Sequence, residues 1–158
     1  MALLAALGIF LLIMVVVAIV MYVLYGISHS KALKAVGYHT PWLAWVPGGN
    51  LVALADATGE YEFTLGTIVI PMNIFKWWWV LLFVLPLIPI IGSFLVLALT
   101  IIAQGWCYTR LYALIENKPL EQVSVVGYIS AAVTLIPIIK WLAMRNDMVI
   151  EQNNNVTM

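Results

Sequence analysis

The first 28 residues carry no charged side chain, and a further 33 pass without one between Lys76 and Arg110. As helices at about 1.5 Å per residue, residues 2–27 would reach ~39 Å and the second run ~50 Å. A bilayer's hydrocarbon core is about 30 Å thick. Water-soluble domains carry about a quarter charged residues, whereas this chain of 158 is 65% hydrophobic and 9% charged. So small a fold cannot bury that much apolar surface, and the excess must face lipid. The expected fold is therefore all-α integral membrane. It forms one domain over residues 1–145, with a polar tail over 146–158.

The spans follow from the breaks. The first, over 2–27, has no basic flank and is too long for a cleaved leader. Lys31 and Lys34 then share one face of a short interfacial turn that ends at Gly37. Residues 41–57 are apolar but interrupted by Pro47-Gly48-Gly49-Asn50, a turn signal. They predict a re-entrant or interfacial hairpin anchored by Trp42 and Trp45. The long uncharged run exceeds one span, and Pro86, Pro89 and Gly92 can divide it. That places the second span over 65–87, with Trp77, Trp78 and Trp79 as anchors, and the third over 90–112. The fourth, over 122–144, has Pro137 as a kink and Lys140, Trp141 and Arg145 at its interface.

Four spans put Lys31, Lys34, Arg110 and Lys118 on one side and Lys140 and Arg145 on the other. The richer side reads as cytoplasmic, which places both termini outside.

Residues 37–59, the Trp77-Trp78-Trp79 run and Pro86-Leu-Ile-Pro89 resemble a family of small bacterial multi-span membrane proteins, domain of unknown function 5684. The likeness covers most of residues 20–144. It implies a first span, a Trp- and Pro-containing segment ending in Asn, a Trp-rich span with a second such turn, and a final apolar helix. Gly48-Gly49 stands where the family tends to have a bulky pair, and Pro89 where it has Asn. The family supplies an architecture and no activity. A weaker match, Trp42–Asn50 against Trp78–Pro89, reads as chance similarity between simple sequences.

Chemistry is sparse. The sequence contains no nucleophile elbow, zinc-binding HExxH, phosphate loop or dinucleotide fingerprint. The expectation is no enzyme, no cofactor and no metal. His29 and His39, ten residues apart, match no ligand spacing and read as interfacial loop residues. Cys107 reads as a small hydrophobe. Asp56 and Lys76 carry more weight, because each ends or interrupts an apolar run and ionisable groups at membrane depth are costly. A Lys76–Asp56 or Lys76–Glu62 pair would lower that cost. Asn50 is placed to hydrogen-bond bent backbone.

Formal net charge is zero and no basic block exists, which excludes a nucleic-acid partner. The expected partners are the lipid bilayer and either another membrane protein or a second copy. Taken together these features predict a non-enzymatic accessory subunit of a larger membrane complex, in the bacterial cytoplasmic membrane. A small oligomeric transporter or channel is the alternative.

Overall fold

The computed structural model describes residues 1–144, apart from the side chains of Ala2 and Leu3. Arg145, Asp147 and the tail 146–158 lie outside the described residues. The architecture is mostly helical, and two of its helices are long and apolar enough to cross a membrane.

The first is α1, Ala2–Ala35, 34 residues long. It does not stop at residue 27, and the separate interfacial turn expected over 28–37 is the helix's own end. No Gly or Pro interrupts 27–35, and Gly26, His29 and Leu33 fall on one stripe that packs against protein. The helix closes with a Schellman motif. Tyr38 N–H donates to Leu33 O at 2.9 Å, Gly37 N–H donates to Lys34 O at 3.1 Å, and Gly37 takes φ 72°.

A 3-10 turn over Pro41–Trp45 and helix α2 over Gly49–Asp56 follow, joined at Gly48 with φ 78°. The expected break at Pro47-Gly48 is there. The turn lies across α1: Tyr22 Oη donates to Trp45 O, and a Cβ on Gly26 would meet the Trp45 ring at 2.5 Å. Gly26 is required there because the indole occupies the space of any side chain.

The second expected span, 65–87, is not a continuous helix. Strands β1, Glu62–Leu65, and β2, Ile68–Pro71, form an antiparallel hairpin with Leu65 opposite Ile68. The two-residue loop Gly66-Thr67 turns them, with Gly66 at φ 60°. Short pieces follow: α3 over Met72–Phe75, a 3-10 turn over Trp78–Val80, α4 over Leu81–Val84 and a turn over Leu85–Leu87. Pro86 and Pro89 supply no amide N–H and crowd the carbonyls four residues before them, so no long helix can propagate. The chain then reverses at Ile90, φ 66°, into α5, Gly92–Glu116, which is the expected third span displaced by a few residues.

The fourth expected span, 122–144, is two helices. α6 covers Leu120–Ala132 and α7 covers Leu135–Leu142. The break at Val133-Thr134 sits four residues before Pro137, where the proline ring collides with the Val133 carbonyl. α6 packs closely along α5: a Cβ on Gly127 would lie 2.7 Å from Thr109 Cα. α7 then folds back beside the end of α1.

This return overturns the expected distribution of charge. Lys140 pairs with Glu116, and Lys31 Nζ donates to Leu142 O, at 3.2 Å, and to Met144 O. The ends of α1, α5 and α7 are therefore neighbours, so Lys140 shares an end with Lys31 and Lys118 instead of lying opposite them. The pairs Lys76–Asp56 and Arg110–Glu60 sit near the same end, on α2, α3 and the later turns of α5. The other end of the molecule, residues 4–20 of α1 and the first turns of α5, has no charged side chain.

Candidate functional site

Where three helices meet under the charged end, a polar cluster is enclosed. Ser28 and His29 on α1 are 0% exposed. His29 Nδ1 lies 3.0 Å from the Tyr25 carbonyl and Nε2 lies 3.1 Å from Tyr108 Oη on α5. A carbonyl only accepts, so Nδ1 carries the proton and Nε2 accepts from Tyr108. Gln104 Nε2 donates to the same Tyr108 oxygen at 2.7 Å, one turn earlier on α5. The Tyr25 side chain hydrogen-bonds both Tyr108 and Asn50, so the network reaches from α5 to the start of α2.

Aromatic rings wall the cluster. Tyr25 stacks on His29 at 3.6 Å between ring centres, Trp141 meets His29 edge-on at 4.6 Å, and Trp141 also touches Tyr108 and Tyr112. Tyr112 Oη shares a hydrogen bond of 2.9 Å with Ser130 on α6, and Lys140 rests 4.2 Å over the Tyr112 ring. An apolar interior makes each unpaired polar group costly. Pairing them ties α1, α2, α5 and α6 into one arrangement, and α7 joins it through the ring contacts of Trp141 and the Lys140–Tyr112 contact.

Ser28 and His29 are in contact, but they are not arranged as nucleophile and base. Ser28 Oγ donates to the Tyr25 carbonyl at 2.9 Å, and the nearer ring nitrogen, Nδ1 at 3.2 Å, donates to that same carbonyl. Nδ1 therefore has no lone pair for a serine proton.

His29 is thus a helix-core residue and not the interfacial loop histidine expected of it. His39 is exposed beside Tyr38, beyond the end of α1. No group of three His, Cys, Asp or Glu side chains with metal-ligand geometry exists among the described residues. Lys76 Nζ lies 3.5 Å from Asp56 Oδ1, with both side chains 28% exposed, so of the two pairings considered it is the one with Asp56 that forms. Arg110 Nε lies 3.1 Å from Glu60 Oε1, and its guanidinium covers Trp106, on which Phe63 and Phe75 also pack. Asn50 Oδ1 accepts from Leu51 N–H at 2.8 Å at the start of α2. Trp42 and Trp77 are exposed, and Trp45 and Trp79 are half-buried. Trp141 and Trp78 are buried, which corrects their expected role as interfacial anchors: an enclosed indole holds the core together and meets no headgroup.

Gln104, Tyr108 and Tyr112, which carry the cluster together with Tyr25 and Ser130, are not singled out by the sequence reading. A signal was present: Gln104, Tyr108 and Tyr112 recur every four residues, on one face of α5.

Among the described residues, three cavities stand out around this core. One of about 290 Å³ is lined by Met21, Tyr22, Tyr25, Asn50, Thr134 and Ile138, where the bare part of α1 meets the α6–α7 break. A second of about 450 Å³ lies beside Glu116, Lys140 and Trp141. The third, about 290 Å³ and wholly apolar, lies between the β-hairpin and α5.

No family model matches the chain. No curated protein and no solved structure is detectably similar to it either.

Proposed function

We propose that this chain is an integral membrane protein without catalysis of its own, an accessory subunit of a larger complex in the bacterial cytoplasmic membrane. The observation that carries the reading is the bareness of α1: every side chain over residues 4–20 is exposed, all are apolar, and no other described element covers them. At ~1.5 Å per residue this stretch is ~26 Å long, close to the ~30 Å hydrocarbon core.

In a bilayer, α1 and α5 are the full-length crossings. Residues 72–91 make a broken traverse between them. α6, at 13 residues, is ~20 Å long and α7, at eight, is ~12 Å. Neither reaches across, so the pair enters from the charged side and returns to it. Six cations stand at that end, Lys31, Lys34, Lys76, Arg110, Lys118 and Lys140. The positive-inside tendency makes it cytoplasmic and puts the N-terminus on the far side.

The transporter alternative draws on Asp56 and Lys76 as lining of a polar cavity. The two bind one another instead, and none of the three cavities above includes them. The family resemblance of residues 20–144 adds an expected bacterial membrane setting and no transport chemistry.

Extraction of native membranes at alkaline pH, followed by purification in mild detergent, tests the reading. The chain is expected to stay with the bilayer under alkali and to purify with a second protein in fixed ratio. Release by alkali, or a strictly monomeric particle with no partner after crosslinking, would contradict it.

A further inference from the structure

We infer that the cavity between Tyr25, Asn50 and Thr134, together with residues 4–20 of α1, forms the seat for a transmembrane helix of a different protein, and that this helix presents an amide or hydroxyl side chain to the α6–α7 break. The inference rests on the subunit reading above and says where the partner sits.

The break is the reason a lipid tail does not suffice there. Among the described residues, the N–H groups of Thr134 and Leu135 have no backbone acceptor, and no backbone donor reaches the carbonyls of Ser130, Ala131 and Ala132. Val133, Thr134 and Leu135 are exposed. The break lies ~20 Å from the charged end of α6, inside the hydrocarbon layer. Bent backbone at that depth must be covered by protein or line a cavity, because hydrocarbon offers it no hydrogen bonds.

The cavity beside the break repeats the demand. Asn50 and Thr134 both line it. Asn50 spends its carbonyl oxygen on Leu51 N–H and bonds the Tyr25 side chain, which leaves one amide hydrogen as a donor. Donors and acceptors so placed suit a helix carrying one Ser, Thr, Asn or Gln near its middle, the usual interhelical bond within membranes. Above the cavity, the bare part of α1 supplies a straight apolar rod for the remainder of such a helix to lie along.

A second copy docking through its own α1 fits poorly, because residues 4–20 contain no polar side chain to offer. A bound lipid would satisfy the rod but not the break.

The test places a photoreactive side chain at Leu12, Val16 or Thr134, one at a time, in the full chain in its native membrane. Phe83, exposed on α4, serves as a control. Irradiation is expected to give one adduct with a different protein from all three positions and none from Phe83. With the probe at Val16, adding Asn50→Leu and Thr134→Val is expected to lower that adduct about five- to tenfold. The purified Thr134→Val single variant, whose hydroxyl takes no part in the polar cluster, is expected to lower the adduct too while keeping the unfolding temperature of the parent, which separates lost docking from lost folding. If either substitution alone unfolds the chain, the milder Thr134→Ser, which keeps the hydroxyl, is expected to retain the adduct while Thr134→Val loses it. Adducts at twice the chain mass, adducts with lipid alone, or a heterologous adduct indifferent to both substitutions would each overturn the inference. The last would leave the subunit reading standing, whereas absence of any copurifying protein would end both.

Discussion

Helix α1 is one continuous element in two different surroundings. Over residues 4–20 every described side chain is apolar and exposed; over 26–35, Gly26, Ser28, His29, Ala32, Leu33 and Ala35 are buried against the rest of the chain. Composition changes at the same place. Polar residues enter where the helix has protein neighbours, because only there can a hydroxyl or imidazole be paired. In the proposed membrane setting lipid is the neighbour of the bare stretch, where any apolar residue serves and no polar one does. The contrast shows that an apolar run marks the solvent of a segment, while its tertiary contacts are marked by exceptions to that run.

Substitutions can sharpen or break this contrast. The largest effect belongs at the packed end. Leu33 is fully enclosed, and Leu33→Ala is expected to lower unfolding stability in detergent by about 2–5 kcal/mol, through lost contacts and the cavity left behind. A loss under 1 kcal/mol would mean that this end is not packed as described. In the bare stretch the sensitive property is membrane insertion. Leu12→Asp is expected to raise the insertion free energy by about 2.5–3.5 kcal/mol, read from the inserted fraction in a translocation assay. An unchanged fraction would remove residues 4–20 from the hydrocarbon layer.

Smaller effects follow at the polar cluster and the ion pair. Tyr108→Phe leaves His29 Nε2 without its donor and is expected to cost about 1–3 kcal/mol of stability by thermal unfolding. His29 and Tyr108 changed together should then cost less than the sum of the two single changes, because they share one bond. Lys76→Met is expected to cost less than about 1 kcal/mol, since the Asp56 pair is partly exposed. The smallest effect, near zero on unfolding stability, is expected for Leu12→Ala. Equal losses for Leu12→Ala and Leu33→Ala would erase the distinction between the two ends of α1.

The long helices were legible because charge-free length is a one-dimensional signal, and α1 and α5 each follow from it. The Lys76–Asp56 pair is legible only as one of two pairings open to Lys76, because Glu62 is an equally available partner in the sequence. The β-hairpin was not read, although Gly66-Thr67 between Phe63-Thr64-Leu65 and Ile68-Val69-Ile70 is a two-residue hairpin signature. Its strands are as apolar as a span, and length outweighed pattern. Pro137 signals the break at Val133 four residues too late, because a proline disrupts the turn before its own position. His29 was misplaced because Ser28-His29-Ser30 reads locally as an exit from lipid. Its partner Tyr108 lies 79 residues away, and a sequence does not display that proximity.

The α6–α7 return is the claim on which orientation and docking both depend, and side-specific labelling tests it directly. In a Cys107→Ala background, Lys34→Cys, Lys118→Cys and Lys140→Cys are each exposed to a membrane-impermeant maleimide in sealed vesicles of known orientation. All three positions are expected to react from the same, cytoplasmic side. Reaction of position 140 from the side opposite to 118 would mean that residues 120–142 cross the bilayer, and would contradict the account.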